Sequence, residues 1–205
     1  MNSFVELARK RRSIRKYKSD QVDAAALMRV LEAGALAPSG NNTQPWRFIV
    51  VRDPSMKRKL FEVAGKQRWI LEAPVTIAVV GDIAAKVKSP GGVGEVLSID
   101  DPKNKAALLK TIRDATIAAD HIVMAAEDED LGSCWIALFE QEDIRPVLSV
   151  PESCYVVAVI TLGLPAETPN PRPRHPLHEI VFGEKYGRRL DDGAAECKAD
   201  AKAGG

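Results

Sequence analysis

Residues 104–126 read NKAALLKTIRDATIAADHIVMAA, the strongest helical signal in the chain. Leu108, Leu109, Ile112, Ala115, Ala119, Ile122, Val123 and Ala126 recur at helical spacing and form one apolar side. Lys110, Arg113, Asp114, Asp120 and His121 form a polar stripe. The many alanines permit close packing, so the spacing predicts the central helix of the core. Elements of both kinds surround it. Val75–Val80 is continuous and rich in β-branched residues, which predicts a strand buried on both faces. Phe48–Val51 and Tyr155–Leu162 also read as strands. Asp23 is placed to cap a helix carrying Leu27, Val30, Leu31 and Ala35. Pro54 opens a helix with Met56, Leu60 and Val63. A short helix is expected around Phe4–Ala8 and another over Glu140–Leu148. Residues 82–102 hold Pro90, Gly91, Gly92, Gly94 and Pro102 and predict a long loop.

The chain has 205 residues, 45% of them hydrophobic and 28% charged, which is enough to bury a core without disulfides or metal. No repeat or linker divides it. A single domain over 1–190 is expected, with a flexible tail over 191–205. Lys+Arg 29 against Asp+Glu 28 gives a net charge of +1. That balance excludes a bulk nucleic-acid or membrane-surface binder, whose charge is lopsided. The longest apolar runs, Val75–Gly81 and Tyr155–Leu164, fall short of a membrane span. The N-terminus has no apolar signal core. Cys134, Cys154 and Cys197 are odd in number and lack metal-ligand spacing. A cytoplasmic protein with reduced thiols is expected.

Two segments carry candidate chemistry. Residues 9–18 read RKRRSIRKYK, with seven basic residues in ten. In an extended conformation Arg11, Ser13 and Arg15 point the same way, so two guanidinium forks and a hydroxyl could meet one anion. A solvated basic edge explains the same residues. Residues 38–46 read PSGNNTQPW. The amides of Asn42 and Gln44 both donate and accept, which suits the edge of a heterocycle, and Gly40 permits close backbone approach. A turn-rich connector is an equal alternative for this segment alone.

Taken together, RRSIR followed by PSGNNTQPW resembles the FMN-dependent nitroreductase family. Three further segments in order extend the resemblance: Ala73-Pro74-Val75, Leu131-Gly132-Ser133-Cys134-Trp135-Ile136, and Arg174-His175-Pro176-Leu177-His178-Glu179-Ile180. It covers roughly residues 4–183. It implies an α+β fold, with a central mainly antiparallel sheet flanked by helices, in an intertwined homodimer with FMN at the interface. Arg11, Arg12, Ser13 and Arg15 would hold the phosphate and ribityl chain, with Arg174 adding a phosphate contact. Pro38, Ser39, Gly40, Asn42 and Gln44 would line the flavin from the partner subunit. Gln67 would face the ring's polar edge, and Trp135, Ile136 and Ala137 would lie beside the ring.

The activity implied is hydride transfer from NADH or NADPH through FMN to a small planar acceptor, a nitroaromatic or quinone, by ping-pong kinetics. A reductive dehalogenase, a flavin-fragmenting relative and a flavin-binding module without turnover are the alternatives. No membrane or nucleic-acid partner is expected, and no metal: Pro176 disfavours a regular helix through His175 and His178. The chain departs from the family where Asp130-Leu131-Gly132 stands in place of Gly-Leu-Gly. Asp130 closes an acidic run, Glu127–Asp130, at a helix C-terminus, where negative charge opposes the macrodipole. The run therefore marks an early helix end, or it faces solvent or a partner.

Overall fold

Four strands, β1 (Trp46–Val51), β2 (Val75–Asp82), β3 (Gly132–Ile136) and β4 (Cys154–Gly163), form one antiparallel sheet in the order β1-β2-β4-β3. The computed structural model describes residues 3–87 and 98–190. The glycine-rich stretch at 91–94 and the expected tail over 191–205 lie outside the described residues. Residues 1–169 and 170–205 form separate units, each described by itself. Within the described residues, no helix is long and apolar enough to cross a membrane.

β2 is buried along its length except at Asp82, as its continuous apolar run predicts. Its residues alternate between two cores. Ile77 and Val79 join Val30, Ile122 and Ala126 on one face, under α2 (Ala24–Ala35) and α6 (Lys105–Asp128). Ala78 and Val80 join Leu60, Ile70 and Ile144 on the other, under α3 (Pro54–Val63), α4 (Trp69–Glu72) and α7 (Gln141–Val147). Covered faces account for the absence of polar alternation. The expected caps are present: Asp23 accepts from the Ala26 amide, and Asp53 from Met56 ahead of Pro54. α2 lies tight on α6 at Gly34, where a Cβ would come 2.6 Å from Ile122 Cγ1.

The helix at 104–126 exists, but two residues stand on the wrong side of its predicted stripe. Leu109 is 59% exposed, while Asp114 is buried at 2%. Asp114 belongs inside because it has partners there, described below. β3 is also absent from the spacing, since five residues leave little room for a period.

The acidic run closes α6. Asp130 adopts φ +55°, with its amide on the Glu127 carbonyl and the Leu131 amide on Ala126. This is a left-handed helix terminus of the kind glycine favours. Lys10, at the end of α1 (Phe4–Lys10), pairs with Asp130 at 2.8 Å and Glu127 at 3.5 Å, and Arg29 pairs with Glu129 at 2.6 Å. The run thus ties α1 and α2 to the end of α6. Asp130→Gly removes a left-handed cost of about 1 kcal/mol and loses an exposed ion pair worth about as little. Its melting temperature is expected to match or exceed that of the wild type, and a clear fall in a thermal melt contradicts this account of the departure.

The second unit contains α8 (Leu177–Ile180) and a turn in which Phe182 bridges Arg189. Leu177, Ile180 and Tyr186 are exposed.

Candidate active site

After α1 the chain extends. Ser13 forms a parallel bridge with Ser133 of β3, and the Ile14 amide donates to the Ser133 carbonyl at 2.9 Å. Ile14 is buried against Gly132, where a Cβ would meet Ile14 Cγ1 at 2.8 Å. A glycine is therefore required for the segment to lie on the strand. The alternation that follows sets Arg11, Ser13 and Arg15 on one side. All three act on the Cys134 thiol: burial pushes its pKa up, while the Arg15 charge, a Ser13 hydrogen bond and the Arg11 charge pull it down.

Arg12 turns the other way. Its Nη1 donates to the carbonyls of Arg9, Lys10 and Arg11 at 2.6, 3.1 and 2.8 Å, sealing the end of α1. Its Nε is buried with no hydrogen-bond partner. The Arg15 guanidinium lies 5.1 Å from the centroid of the Trp69 ring, a cation–π contact that restricts it. Glu167 Oε1 accepts the Arg15 amide at 2.6 Å. The Tyr17 hydroxyl sits between the Ile14 carbonyl and Thr161 Oγ1, and burial pushes its ionisation far up.

β3 leads from this cluster to further candidate residues. Trp135 is partly buried on the α2/α6 core, Ile136 is buried in the opposite core, and Ala137 is exposed. Ile136 consequently offers only its main chain. Gln67 joins them: its Nε2 donates to the Gly65 carbonyl at 3.1 Å, and both Gln67 and Leu138 border Gly65.

Pro38, Ser39, Gly40, Asn42 and Gln44 lie elsewhere. Their loop precedes β1 and rests on Asp114 of α6. Asp114 Oδ2 accepts the Gly40 amide at 3.0 Å and Lys86 Nζ at 2.5 Å, and Lys86 also donates to the Gly40 carbonyl. Lys86 is on α5 (Ala84–Val87). Asn41, Asn42 and Gln44 have φ of 56°, 53° and 45°. Asparagine tolerates that region, but glutamine pays about 1–2 kcal/mol there. Ser39 Oγ accepts the Gln44 amide at 3.0 Å and closes the turn.

The two clusters stand at diagonal corners of the sheet. Trp46, just after the loop, pairs with Gly81, which pairs with Tyr155 at the start of β4; Gly132, beside Ile14, pairs with Gly163 at its end. Eight residues at ~3.3 Å separate those levels by roughly 26 Å. α6 gives an independent ruler. Its Asp114 touches Gly40 and its Glu127 touches Lys10, and thirteen residues span about 20 Å of helix. β1 and β3 are also opposite edges of the sheet.

Arg174 belongs to the second unit. It is exposed, and its Nη1 donates to the Pro173 and Arg172 carbonyls at 3.2 and 3.5 Å.

The profile of the nitroreductase family matches residues 8–164. The chain belongs to the nitroreductase family. It is 35% identical over 190 residues to an NADH dehydrogenase of Thermus thermophilus, covering 85% of this chain and 93% of that one. It is 29% identical to an FMN reductase [NAD(P)H] of Bacillus subtilis, covering 91% and 75%. Among solved structures, a nitroreductase family protein from Clostridium difficile superposes with a TM-score of 0.72 at 30% identity, over 90% and 99% of the two chains. Nitroreductase A from Vibrio parahaemolyticus superposes with a TM-score of 0.80 at 26% identity, over 97% and 84%. As a family member the chain is an oxidoreductase, with the expected antiparallel sheet and flanking helices.

Sequence reading missed the contacts that Trp69, Lys86, Asp114 and Glu167 make with the candidate residues Arg15 and Gly40. Trp69 stands four residues before the Ala73-Pro74 pair, but nothing local announces its contact with Arg15. Cys134 and Cys154 are both buried, and burial pushes both thiols up. Both are expected to resist alkylation in the native protein at pH 8 and to react on unfolding. Mass spectrometry of iodoacetamide-treated protein checks this, and rapid native labelling of Cys134 contradicts it.

Proposed function

We propose that this chain is an FMN-dependent oxidoreductase. It takes a hydride from NADH or NADPH and reduces a small planar acceptor, a nitroaromatic or a quinone, in a ping-pong sequence. Its site is completed by a second copy of the chain. The oxidoreductase class and the use of FMN with NAD(P)H accord with the family. The acceptor, the kinetic order and the dimer are the further reading.

What supports it is the extended segment bridged at Ser13 to Ser133 of β3, whose alternation puts Arg11, Ser13 and Arg15 on one side at the head of the strand that carries Trp135 and Ile136. FMN fits these residues chemically. Its phosphate needs cationic forks and hydroxyl donors, which Arg11, Arg15 and Ser13 supply. Bound FMN supplies the redox chemistry, accepting and releasing two-electron equivalents.

The protein's part is binding and orientation. Arg11, Ser13 and Arg15 would hold the phosphate and ribityl chain, Arg12 would support them by fixing the end of α1, and Arg174 would add a phosphate contact. Trp135, Ile136 and Ala137 line the ring, the buried Ile136 through its main chain alone, and Gln67 faces the polar edge. Pro38, Ser39, Gly40, Asn42 and Gln44 come from the second copy, because their loop stands at the far corner of its own sheet. Exposed Met28, Leu36, Leu109 and Leu138 supply apolar surface for such an association. The Tyr17 hydroxyl is committed to the Ile14 carbonyl and Thr161 Oγ1, so solvent supplies the proton that accompanies reduction. Donor and acceptor would use the same site in turn, which is the basis of the proposed ping-pong order. Buried free thiols at Cys134 and Cys154 suit a reducing compartment, the cytoplasm.

Absorption spectroscopy tests the reading. Purified protein, reconstituted with FMN, is expected to show a flavin spectrum that bleaches with NADH or NADPH without oxygen and returns on adding a nitrofuran or benzoquinone. A protein that gains no flavin spectrum overturns the proposal. Flavin that NAD(P)H bleaches but no acceptor recolours leaves a binding module without turnover.

A further inference from the structure

We propose that Asp114, acting with Lys86, is a positioning residue for the flavin loop: the buried pair grips both peptide groups of Gly40 and so sets Ser39, Asn42 and Gln44 in their receiving geometry. This inference rests on the flavin reading of the loop. Ordinarily a carboxylate in a helical polar stripe faces water. Asp114 is instead 3% exposed at its side chain, Lys86 is 8% exposed, and the two are 2.5 Å apart. An ion pair this deep gains little stability over apolar residues of similar size, so stability does not explain it. Its geometry does. Asp114 Oδ2 takes the Gly40 amide and Lys86 Nζ takes the Gly40 carbonyl, at 3.0 Å each.

Gly40 is itself the pivot of the turn. Its carbonyl also accepts Thr43 Oγ1 at 3.1 Å, and the next residues include three left-handed ones. A loop with φ of 56°, 53° and 45° at Asn41, Asn42 and Gln44 keeps that shape only where its surroundings fix it. Ser39 Oγ fixes one end through the Gln44 amide. The Asp114–Lys86 pair fixes the other, from two elements that are themselves ordered. Arg113 Nε also lies 3.6 Å from Asp114 Oδ1. Asp114 does not touch the flavin; it acts through the loop.

The test replaces the pair by apolar residues of similar volume, Asp114→Leu with Lys86→Met, so that no charge is left buried. Melting near the wild-type temperature is expected, with an FMN dissociation constant raised about tenfold or more and an altered visible circular dichroism of bound flavin. An FMN affinity and flavin dichroism within twofold of wild type overturn the proposal. So does an affinity loss no greater than that of a control core variant with the same melting temperature.

A second measurement needs no variant. In the wild-type apoprotein the Gly40 amide is expected to be protected from hydrogen exchange although its residue is exposed, because it is bonded to a buried carboxylate. Exchange at the rate of a free peptide overturns the latch. Wild-type protein that binds no FMN defeats the flavin reading, and with it the positioning role, whereas Gly40 protection then still reports an intact latch.

Discussion

Arg11→Ala combined with Arg15→Ala is expected to weaken FMN binding at least about a hundredfold, since each charge-assisted hydrogen bond contributes about 1.5–3 kcal/mol and 1.4 kcal/mol is a factor of ten. In an extended segment both side chains fall on the side opposite buried Ile14, and neither residue is buried in the core. Their loss therefore removes ligand contacts while Ile14, buried against Gly132, keeps the segment on β3. The melting temperature of the apoprotein is expected to stay close to wild type. Arg12→Ala provides the contrast. Its Nη1 holds three carbonyls at the end of α1, so that variant is expected to lose stability as well as affinity. Isothermal titration with FMN, beside a thermal melt of each apoprotein, separates the two. Unchanged affinity in the double variant places the phosphate elsewhere.

Asp114→Ala alone is expected to cost about 3–5 kcal/mol of stability, because it removes the carboxylate from a buried ion pair. In a protein of this size that lowers the melting temperature by roughly 10 °C. The Gly40 amide loses its acceptor in the same step. Adding Lys86→Met removes the other charge of the buried pair as well and is expected to restore most of the stability but not the loop. A small effect of Asp114→Ala, measured by urea denaturation, shows that Asp114 is solvated and that the interior pair does not exist in solution.

The elements with a sustained pattern were legible from residues alone. β2 declared itself by six consecutive apolar or β-branched residues, α6 by its period, and α2 and α3 by Asp23 and by Pro54 after Asp53. The alternation of Arg11, Ser13 and Arg15 needed only an extended backbone. What stayed hidden was tertiary. Asp114 reads as a surface residue because its partners, Gly40 and Lys86, lie 74 and 28 positions away. Trp69 reads as core until Arg15 lies over it. Asp130 seemed a charge set against a helix dipole, yet its backbone fills a position that glycine commonly takes, and Lys10 answers the charge. Motif order brought RRSIR and PSGNNTQPW into one resemblance, but only strand register shows that a single chain holds them at opposite corners.

That separation makes the account testable in one step. Co-express an Arg11→Ala/Arg15→Ala chain with a Ser39→Leu/Asn42→Val chain under different affinity tags, and purify the species carrying both. Each variant alone is expected to bind no FMN at micromolar concentration. The doubly tagged dimer contains one site built from the two unaltered halves and one built from the two altered halves, so it is expected to bind half the wild-type flavin content. A doubly tagged dimer as empty as its parents contradicts a site shared between two copies.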